Sequence, residues 1–317
     1  MTLDKTARLA PAAHCPILDP GVQGFLDRVT EAGLLPYGAD TPAERQDIAR
    51  LLQDGAAAVP ATTILVPAVG GTGSVAIRIV SPPGAAGTRP PVLFYLPGGL
   101  WTLGGWTTHR AAATALAASC GAALVFVDLG PGPALPALKR ARAALDWTLV
   151  HGGGRGLDTA RVAIAGDGSG GALAVQLAAT PPQHGCLRLQ LLFHPVVGAI
   201  AQGAPASPWL APDRCQALAA EAFPDQVPWA GLSPLELPLD RLRRLPPTVI
   251  LTAEADPARD GGEALARRLM AAEVETTALR LMGTIPDFFW LDGLAETVPT
   301  LAAQAVARRA LTAALHR

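Results

Sequence analysis

Three side chains that can act as nucleophile, acid or base stand directly after predicted strands: Ser169, Asp256 and Asp287. A serine hydroxyl attacks a carbonyl group once a nearby base takes its proton, and a desolvated carboxyl group can give or take a proton itself. In an open parallel sheet, ligands bind beyond the carboxyl ends of the strands. These three residues are therefore the first candidates for a catalytic site.

Short apolar runs alternate along the chain with stretches of helical period, which predicts a mostly parallel sheet covered by helices. The predicted strands are Thr62–Val66, Ser74–Val80, Pro91–Leu96, Ala122–Val127, Arg161–Ala165, Leu187–Phe193, Pro247–Thr252 and Thr276–Met282. The predicted helices are Val22–Ala32, Pro42–Gln53, Thr107–Ser119, Pro136–Val150, Ser169–Ala179, Arg214–Glu221, Gly261–Ala272 and Leu291–Leu315. Only a glycine-rich turn separates the first two strands, so we expect them to form an antiparallel hairpin.

Two segments lie outside this alternation. Residues 1–57 read as helical and precede the first strand, and the Pro/Ala-rich residues 198–240 separate the sixth strand from the seventh. We expect both segments to form a helical cap over one end of the sheet. The core then consists of residues 58–197 and 241–317.

The composition excludes several classes of function. The chain has 317 residues, 50% hydrophobic, with a net charge of −1, and nucleic acid or an anionic membrane would need a basic face instead. The cysteines Cys15, Cys120, Cys186 and Cys215 are too far apart for a zinc motif or a disulfide framework. We expect a soluble cytoplasmic protein with a small-molecule substrate or ligand and no cofactor, and a homodimer remains open.

Four sequence blocks carry a family resemblance. They read PGGLW after the third strand, GDGSGG after the fifth, DPARDGG after the seventh and GTIPDF after the last. In order and spacing they resemble the hormone-sensitive-lipase-type (bacterial class IV) carboxylesterases, which carry HGGGW, GDSAGG, DPLRDEG and GMIHGF. The resemblance implies an α/β-hydrolase fold, with a mostly parallel eight-stranded sheet flanked by helices and a helical cap.

The resemblance also places Gly168 and Pro286 where the family has its serine nucleophile and its histidine base, which gives a degenerate triad. Ser169 follows one residue late, and one residue of helix turns a side chain by about 100°. We therefore expect Ser169 to point away from the acid and base positions, and its alternative role is a donor in the first helical turn. Asp256 matches the family's acid, and its alternative role is to cap the next helix. Asp287 is the nearest titratable replacement for the base, and its alternative role is a loop residue bonded to backbone.

The family's oxyanion loop is half retained. Gly98 and Gly99 preserve the close approach of the backbone, and the N–H groups of Gly99, Leu100 and Ser169 are the expected donors to a negatively charged oxygen. A purely structural loop is the alternative. The expected substrate-binding residues are Gly98, Gly99, Leu100, Trp101, Gly168, Pro286 and Phe288.

From these residues we expect a non-hydrolytic enzyme that performs a cyclisation, an elimination or a rearrangement on a small apolar substrate such as a secondary metabolite. Two alternatives stay open: a binding protein without turnover, and a residual esterase or acyltransferase that uses Ser169. Tryptophans at 101, 106, 209 and 229, with Leu210, favour an apolar ligand.

The histidines do not add a site of their own in the sequence. His109 matches a family histidine after the oxyanion loop, and we expect it to be structural. His14 and His194 have no visible partners, so the sequence predicts no metal site.

Overall fold

The computed structural model describes residues 16–53, 59–68, 70, 72–180, 186–224, 227 and 229–317. His14 and Cys15 lie outside the described residues, as do parts of both expected cap segments, so the predicted domain boundaries stay predictions. Among the described helices, none is long and apolar enough to cross a membrane.

Eight strands form one sheet in the order β1-β2-β4-β3-β5-β6-β7-β8. Their bounds are β1 Thr62–Pro67, β2 Ser74–Val80, β3 Pro91–Leu96, β4 Ala123–Asp128, β5 Asp158–Asp167, β6 Leu187–Phe193, β7 Thr248–Ala253 and β8 Thr276–Leu281. The first strand pairs antiparallel with β2, which confirms the predicted hairpin, and β2 pairs antiparallel with β4. The remaining neighbours are parallel. The predicted fold class is therefore confirmed.

Nine α-helices lie among the described residues. They are α1 Pro20–Glu31, α2 Pro42–Leu51, α3 Trp106–Ser119, α4 Ala134–His151, α5 Gly168–Ala178, α6 Pro212–Ala222, α7 Leu239–Leu242, α8 Arg259–Ala271 and α9 Val298–Leu315. The single helix predicted over Leu291–Leu315 is wrong at its start, because a separate 3-10 turn occupies Asp292–Leu294. Pro299 favours a helix start at Val298, since proline in the first turn loses only an N–H that has no partner there.

The central strands bring several loops to one edge of the sheet. Every residue of β3 and β7 is buried, and β5 is buried along its second half. Apolar residues on both faces are typical of a parallel strand covered by helices on each side. The carboxyl ends of β3, β5, β6, β7 and β8 therefore meet at one edge, where every candidate residue of the sequence lies.

A buried arginine bonds the N-terminal segment to residues 198–240, which are called the insertion below. Arg45 on α2 is fully buried and donates to the carbonyls of Ala39 and Asp40 and to the carboxylate of Glu221 on α6, at 3.0 Å. Arg214, also on α6, donates in return to the carbonyls of Tyr37 and Ala39. These bonds join the two segments that the sequence assigned to a cap.

The substitution Glu221→Gln should lower the free energy of unfolding by about 1 to 3 kcal/mol, because it leaves the buried Arg45 charge without its carboxylate. Chemical denaturation of both proteins at pH 7 measures the difference. Asp47→Asn is the matched control, since its ion pair with Arg50 is more than half exposed and should contribute nothing measurable. Equal stability of Glu221→Gln and the wild type would contradict the assigned role of this contact.

Candidate functional site

The turn from β5 into α5 has no side chain at Gly168, and the position that its Cβ atom would occupy is called the gap below. Gly168 has φ +47°, a left-handed conformation that costs an L side chain free energy. A Cβ atom built on Gly168 would lie 3.6 Å from the amide nitrogen of Gly99 and 3.8 Å from Cε1 of His194. The gap therefore lies between a backbone donor of the oxyanion loop and an imidazole ring.

The carboxylate of Asp167 holds the oxyanion loop against the turn between β5 and α5, which is called the elbow below. This group is fully buried and accepts hydrogen bonds from the Tyr95 hydroxyl at 2.7 Å and from the N–H of Gly98 at 3.1 Å. His109 lies 3.3 Å away, so its expected structural role is to hold this carboxylate. A Cβ on Gly98 would come within 2.3 Å of the Asp167 carboxylate, which explains the need for glycine there. Burial alone would raise the pKa of Asp167, but the charge and hydrogen bond of His109 bring that pKa below its ordinary value.

Backbone strain is concentrated around this gap. Leu100, Trp101, His194 and Asp287 have φ of 52°, 59°, 33° and 67°. Non-glycine residues in the left-handed region cost on the order of 1 to 3 kcal/mol each and persist only where the surrounding structure holds them. Such residues often lie at functional sites, and here two of them follow Gly99 on the oxyanion loop while the other two, His194 and Asp287, lie close together.

His194, directly after β6, has an imidazole nitrogen without a partner among the described residues. The residue is 2% exposed, and its Nε2 atom accepts or donates no hydrogen bond in this part of the chain. The ring of Phe288 packs edge-on against the imidazole, with 5.5 Å between centroids. Burial lowers the pKa of His194 although the charges of Asp287 and Asp167 raise it. The imidazole is therefore neutral at pH 7, and its lone pair is available as a base.

Asp287 lies beside this imidazole and is held by one residue of the N-terminal segment and one of residues 198–240. Its Oδ2 atom accepts a hydrogen bond from the Tyr37 hydroxyl at 2.7 Å and one from Nε1 of Trp209 at 2.9 Å. The alternative role of Asp287 was a loop carboxylate bonded to backbone. Its Oδ2 atom instead accepts hydrogen bonds from two side chains. Asp167, His194 and Asp287 each present an atom within 4.8 Å of the others, which brings three polar side chains together as in a triad.

Ser169 lies on the other side of the elbow. It is 2% exposed and lines a small cavity of 10 Å³ with Gly98, Trp101 and Leu173. That volume accommodates about one water molecule. Ser169 therefore faces a cavity beside the oxyanion loop. A side chain at position 168 would instead face His194.

Asp256 is buried apart from this group of three. One carboxylate oxygen accepts the N–H of Ala258 at 2.7 Å, just before α8, and the other has no hydrogen-bond partner within the described ranges. Asp256 was expected to cap the next helix. Its carboxylate instead bonds within the turn just before α8, which begins at Arg259. Burial raises the pKa of Asp256 to about 7, the bond to Ala258 opposes that shift, and the charge of Asp287 adds to it.

The expected substrate-binding residues divide into two groups. Gly98, Gly99 and Leu100 border the gap or its loop, and the ring of Trp101 packs against Trp229, 5.1 Å away, and Phe223, 5.6 Å away. Pro286 and Phe288 are buried beside Asp287. Trp106 does not join them, because its ring packs on Phe126 in the core at 5.4 Å.

The residues of this site that were missed in the sequence include His194, Tyr37 and Asp167, which lies in the GDGSGG block but was given no role there. His194 follows the carboxyl end of a predicted strand, so the rule that selected Ser169, Asp256 and Asp287 also selects it. Tyr37 carries no such signal, because only the path of the N-terminal segment brings its hydroxyl to Asp287, 250 positions along the chain.

The substitution Asp256→Asn should stabilise the protein at pH 8 by roughly 4 kcal/mol and have no such effect near pH 4. The pKa of Asp256 is raised in the folded state, so the unfolded chain releases this proton first. The ionisation of Asp256 therefore lowers the free energy of unfolding of the wild type. This loss begins near pH 4, grows up to the folded pKa near 7 and stays constant at higher pH. Unfolding free energies of both proteins at pH 4, 6 and 8 measure the effect. A difference that does not change with pH would contradict the assigned burial of a protonated carboxyl group.

Comparisons with known proteins agree with this architecture. Residues 93–290 match the family model described as the alpha/beta hydrolase fold. A carboxylesterase of Mycobacterium tuberculosis, NlhH, is 33% identical over 284 residues, which cover 83% of this chain and 86% of the relative. An arylesterase of Saccharolobus solfataricus is 30% identical over 86% of this chain and 92% of its own length. The crystal structure of a thermostable esterase from Pseudomonas putida superimposes with a TM-score of 0.82 at 30% identity, over 95% of this chain and 99% of that one.

These relatives correct the functional expectation drawn from the sequence. The cyclase, lyase or isomerase reaction is wrong, because the relatives and the structural neighbours are named as esterases. That expectation rested on the absence of a base beside the elbow, and it did not include His194, which the end of β6 brings there. The fold, the four motif blocks and these similarities together establish that the chain belongs to the α/β-hydrolase fold family, within the hormone-sensitive-lipase-type carboxylesterase superfamily.

Proposed function

We propose that this protein hydrolyses carboxylic esters and that water, activated by His194, is the nucleophile. One observation carries the proposal: the gap at Gly168 lies between the amide of Gly99 and the ring of His194, whose Nε2 atom is buried without a partner. A water molecule in this gap would have a base on one side and an oxyanion donor on the other. The esterase relatives support the reaction class.

In this mechanism the water oxygen attacks the ester carbonyl carbon while the imidazole of His194 takes one proton from the water. The N–H of Gly99 stabilises the negative charge that develops on the carbonyl oxygen. The bond between the carbonyl carbon and the alcohol oxygen then breaks, and the imidazolium returns the proton to the departing alcohol. The products are a carboxylic acid and an alcohol.

The two carboxylates beside His194, those of Asp287 and Asp167, have different roles in this proposal. Asp287 stabilises the imidazolium that forms when the water loses its proton, because an opposite charge nearby favours the protonated ring. Asp167 also favours that charge, but its hydrogen bonds to Tyr95 and Gly98 make it chiefly the anchor of the oxyanion loop. The conventional serine triad is thus replaced by a base, a supporting carboxylate and a space for water.

Access to the gap requires movement of the cap. Asp167, His194 and Asp287 are each no more than 2% exposed, and Asp287 is bonded to Tyr37 and Trp209. An ester reaches His194 only after one of these cap contacts opens. Closure over the bound ester then excludes bulk water from the reacting carbonyl group.

The substitution His194→Gln should lower kcat/KM for p-nitrophenyl acetate at least 100-fold, because the amide cannot accept the proton of the attacking water. Ser169→Ala is the control and should keep the wild-type rate within about threefold. Circular dichroism verifies that both variants are folded. A fully active His194→Gln protein, or an inactive Ser169→Ala protein, would place the base or the nucleophile elsewhere.

The substitution Gly168→Ala should reduce the same rate at least tenfold, because its methyl group would occupy the gap assigned to water. The new Cβ makes ordinary contacts of 3.6 Å and 3.8 Å, so the surrounding atoms have room for it. Gly87→Ala is the matched control for backbone strain, since Gly87 has φ +77° and nothing within 4 Å of its built Cβ. Unchanged turnover in Gly168→Ala would show that the nucleophile does not stand in the gap.

A further inference from the structure

The three polar side chains beside Gly168 also have the composition of a metal site. Asp167, His194 and Asp287 offer two carboxylate oxygens and an imidazole nitrogen, all within 4.8 Å of one another and all buried. Imidazole and carboxylate groups are the usual ligands of Zn²⁺ and related divalent ions, and three protein ligands leave one position open. The arrangement therefore fits a cation that keeps room for one further ligand.

An independent observation points to a ligand at this place. The Nε2 atom of His194 is buried and has no hydrogen-bond partner among the described residues. Leaving a buried polar atom without a partner costs free energy, about 1 to 3 kcal/mol. A bound cation would satisfy this nitrogen, and the packing of Phe288 already restricts the orientation of the ring.

Each carboxylate is also held by donors of the kind that surround metal ligands. The Tyr95 hydroxyl donates to Asp167, and the Tyr37 hydroxyl and the Trp209 indole donate to a single oxygen of Asp287. Hydrogen bonds of this kind orient the ligands of metal sites. The ligand set consequently requires little rearrangement before an ion binds.

The local charge favours a cation as well. Two carboxylates lie together in a buried region, where Asp167 is paired with His109 at 3.3 Å and, among the described residues, no lysine or arginine forms an ion pair with either carboxylate. Buried carboxylates are unfavourable unless they are paired, hydrogen-bonded or bound to a metal. A divalent ion would neutralise both of these groups at once.

We propose that Asp167, His194 and Asp287 bind one divalent transition-metal ion, such as Zn²⁺, and that the bound ion inhibits ester hydrolysis. This inhibition rests on the proposed function, because the ion takes the imidazole lone pair that would otherwise accept a proton from water. The same nitrogen cannot serve as ligand and as base at once. Zinc and the reaction therefore compete for His194.

Isothermal titration calorimetry with ZnCl₂ on the full-length protein, first treated with EDTA and desalted, tests the site directly. We expect one Zn²⁺ per chain and at least a 100-fold loss of affinity in His194→Gln and in Asp287→Asn. Substitution of the exposed His151 by glutamine is the control and should leave binding unchanged. Co²⁺ added instead should give visible d–d absorption bands in the wild type that both ligand variants lack.

Hydrolysis of p-nitrophenyl acetate, measured in parallel, tests the inhibition. The zinc-free protein should be active and should lose at least 90% of its rate when one equivalent of Zn²⁺ is bound. The proposal is overturned by the absence of saturable binding, by equal affinity in the ligand variants, or by a rate that rises with Zn²⁺. A zinc-free protein without any esterase activity would instead overturn the proposed function, while the calorimetry still decides whether the metal site exists.

Discussion

The carboxylate of Asp287 joins the N-terminal segment and residues 198–240 to the polar side chains around His194, and the burial of this group depends on that connection. One oxygen of this buried group accepts hydrogen bonds from Tyr37 in the N-terminal segment and from Trp209 in the insertion. A buried carboxylate is costly without such donors, so these two hydrogen bonds stabilise Asp287 beside His194. The packing of the two segments and the position of this carboxylate are therefore linked through one side chain.

A second carboxylate, that of Asp167, holds the oxyanion loop on the opposite side of the gap. Asp167 ties the N–H of Gly98 to the elbow, which fixes the amide of Gly99 near the position of the reacting oxygen. In the proposed mechanism the nucleophilic water stands beside Gly168, between the amide of Gly99 and the imidazole of His194.

The fold could be predicted well from the sequence, and the site only in part. Strand positions follow from local apolar runs, and the motif blocks fix the loops that contain Gly98, Gly168 and Asp256. The expected reaction was wrong because the motif comparison looked for a base only at Pro286 and its neighbour. The role of His194 depends on burial and on the path of β6 relative to the elbow, which are tertiary properties. Tyr37 and Trp209 approach Asp287 through cap packing, which no short motif encodes.

Intact-protein mass spectrometry of the enzyme, quenched during steady-state hydrolysis of p-nitrophenyl acetate, tests most directly whether water is the nucleophile. An enzyme that uses water keeps its unmodified mass while acetate and p-nitrophenol accumulate, and this is the result that the proposed mechanism predicts. An acetyl group on the chain, mapped by peptide fragmentation to Ser169 or to any other side chain and turning over at the catalytic rate, would contradict it.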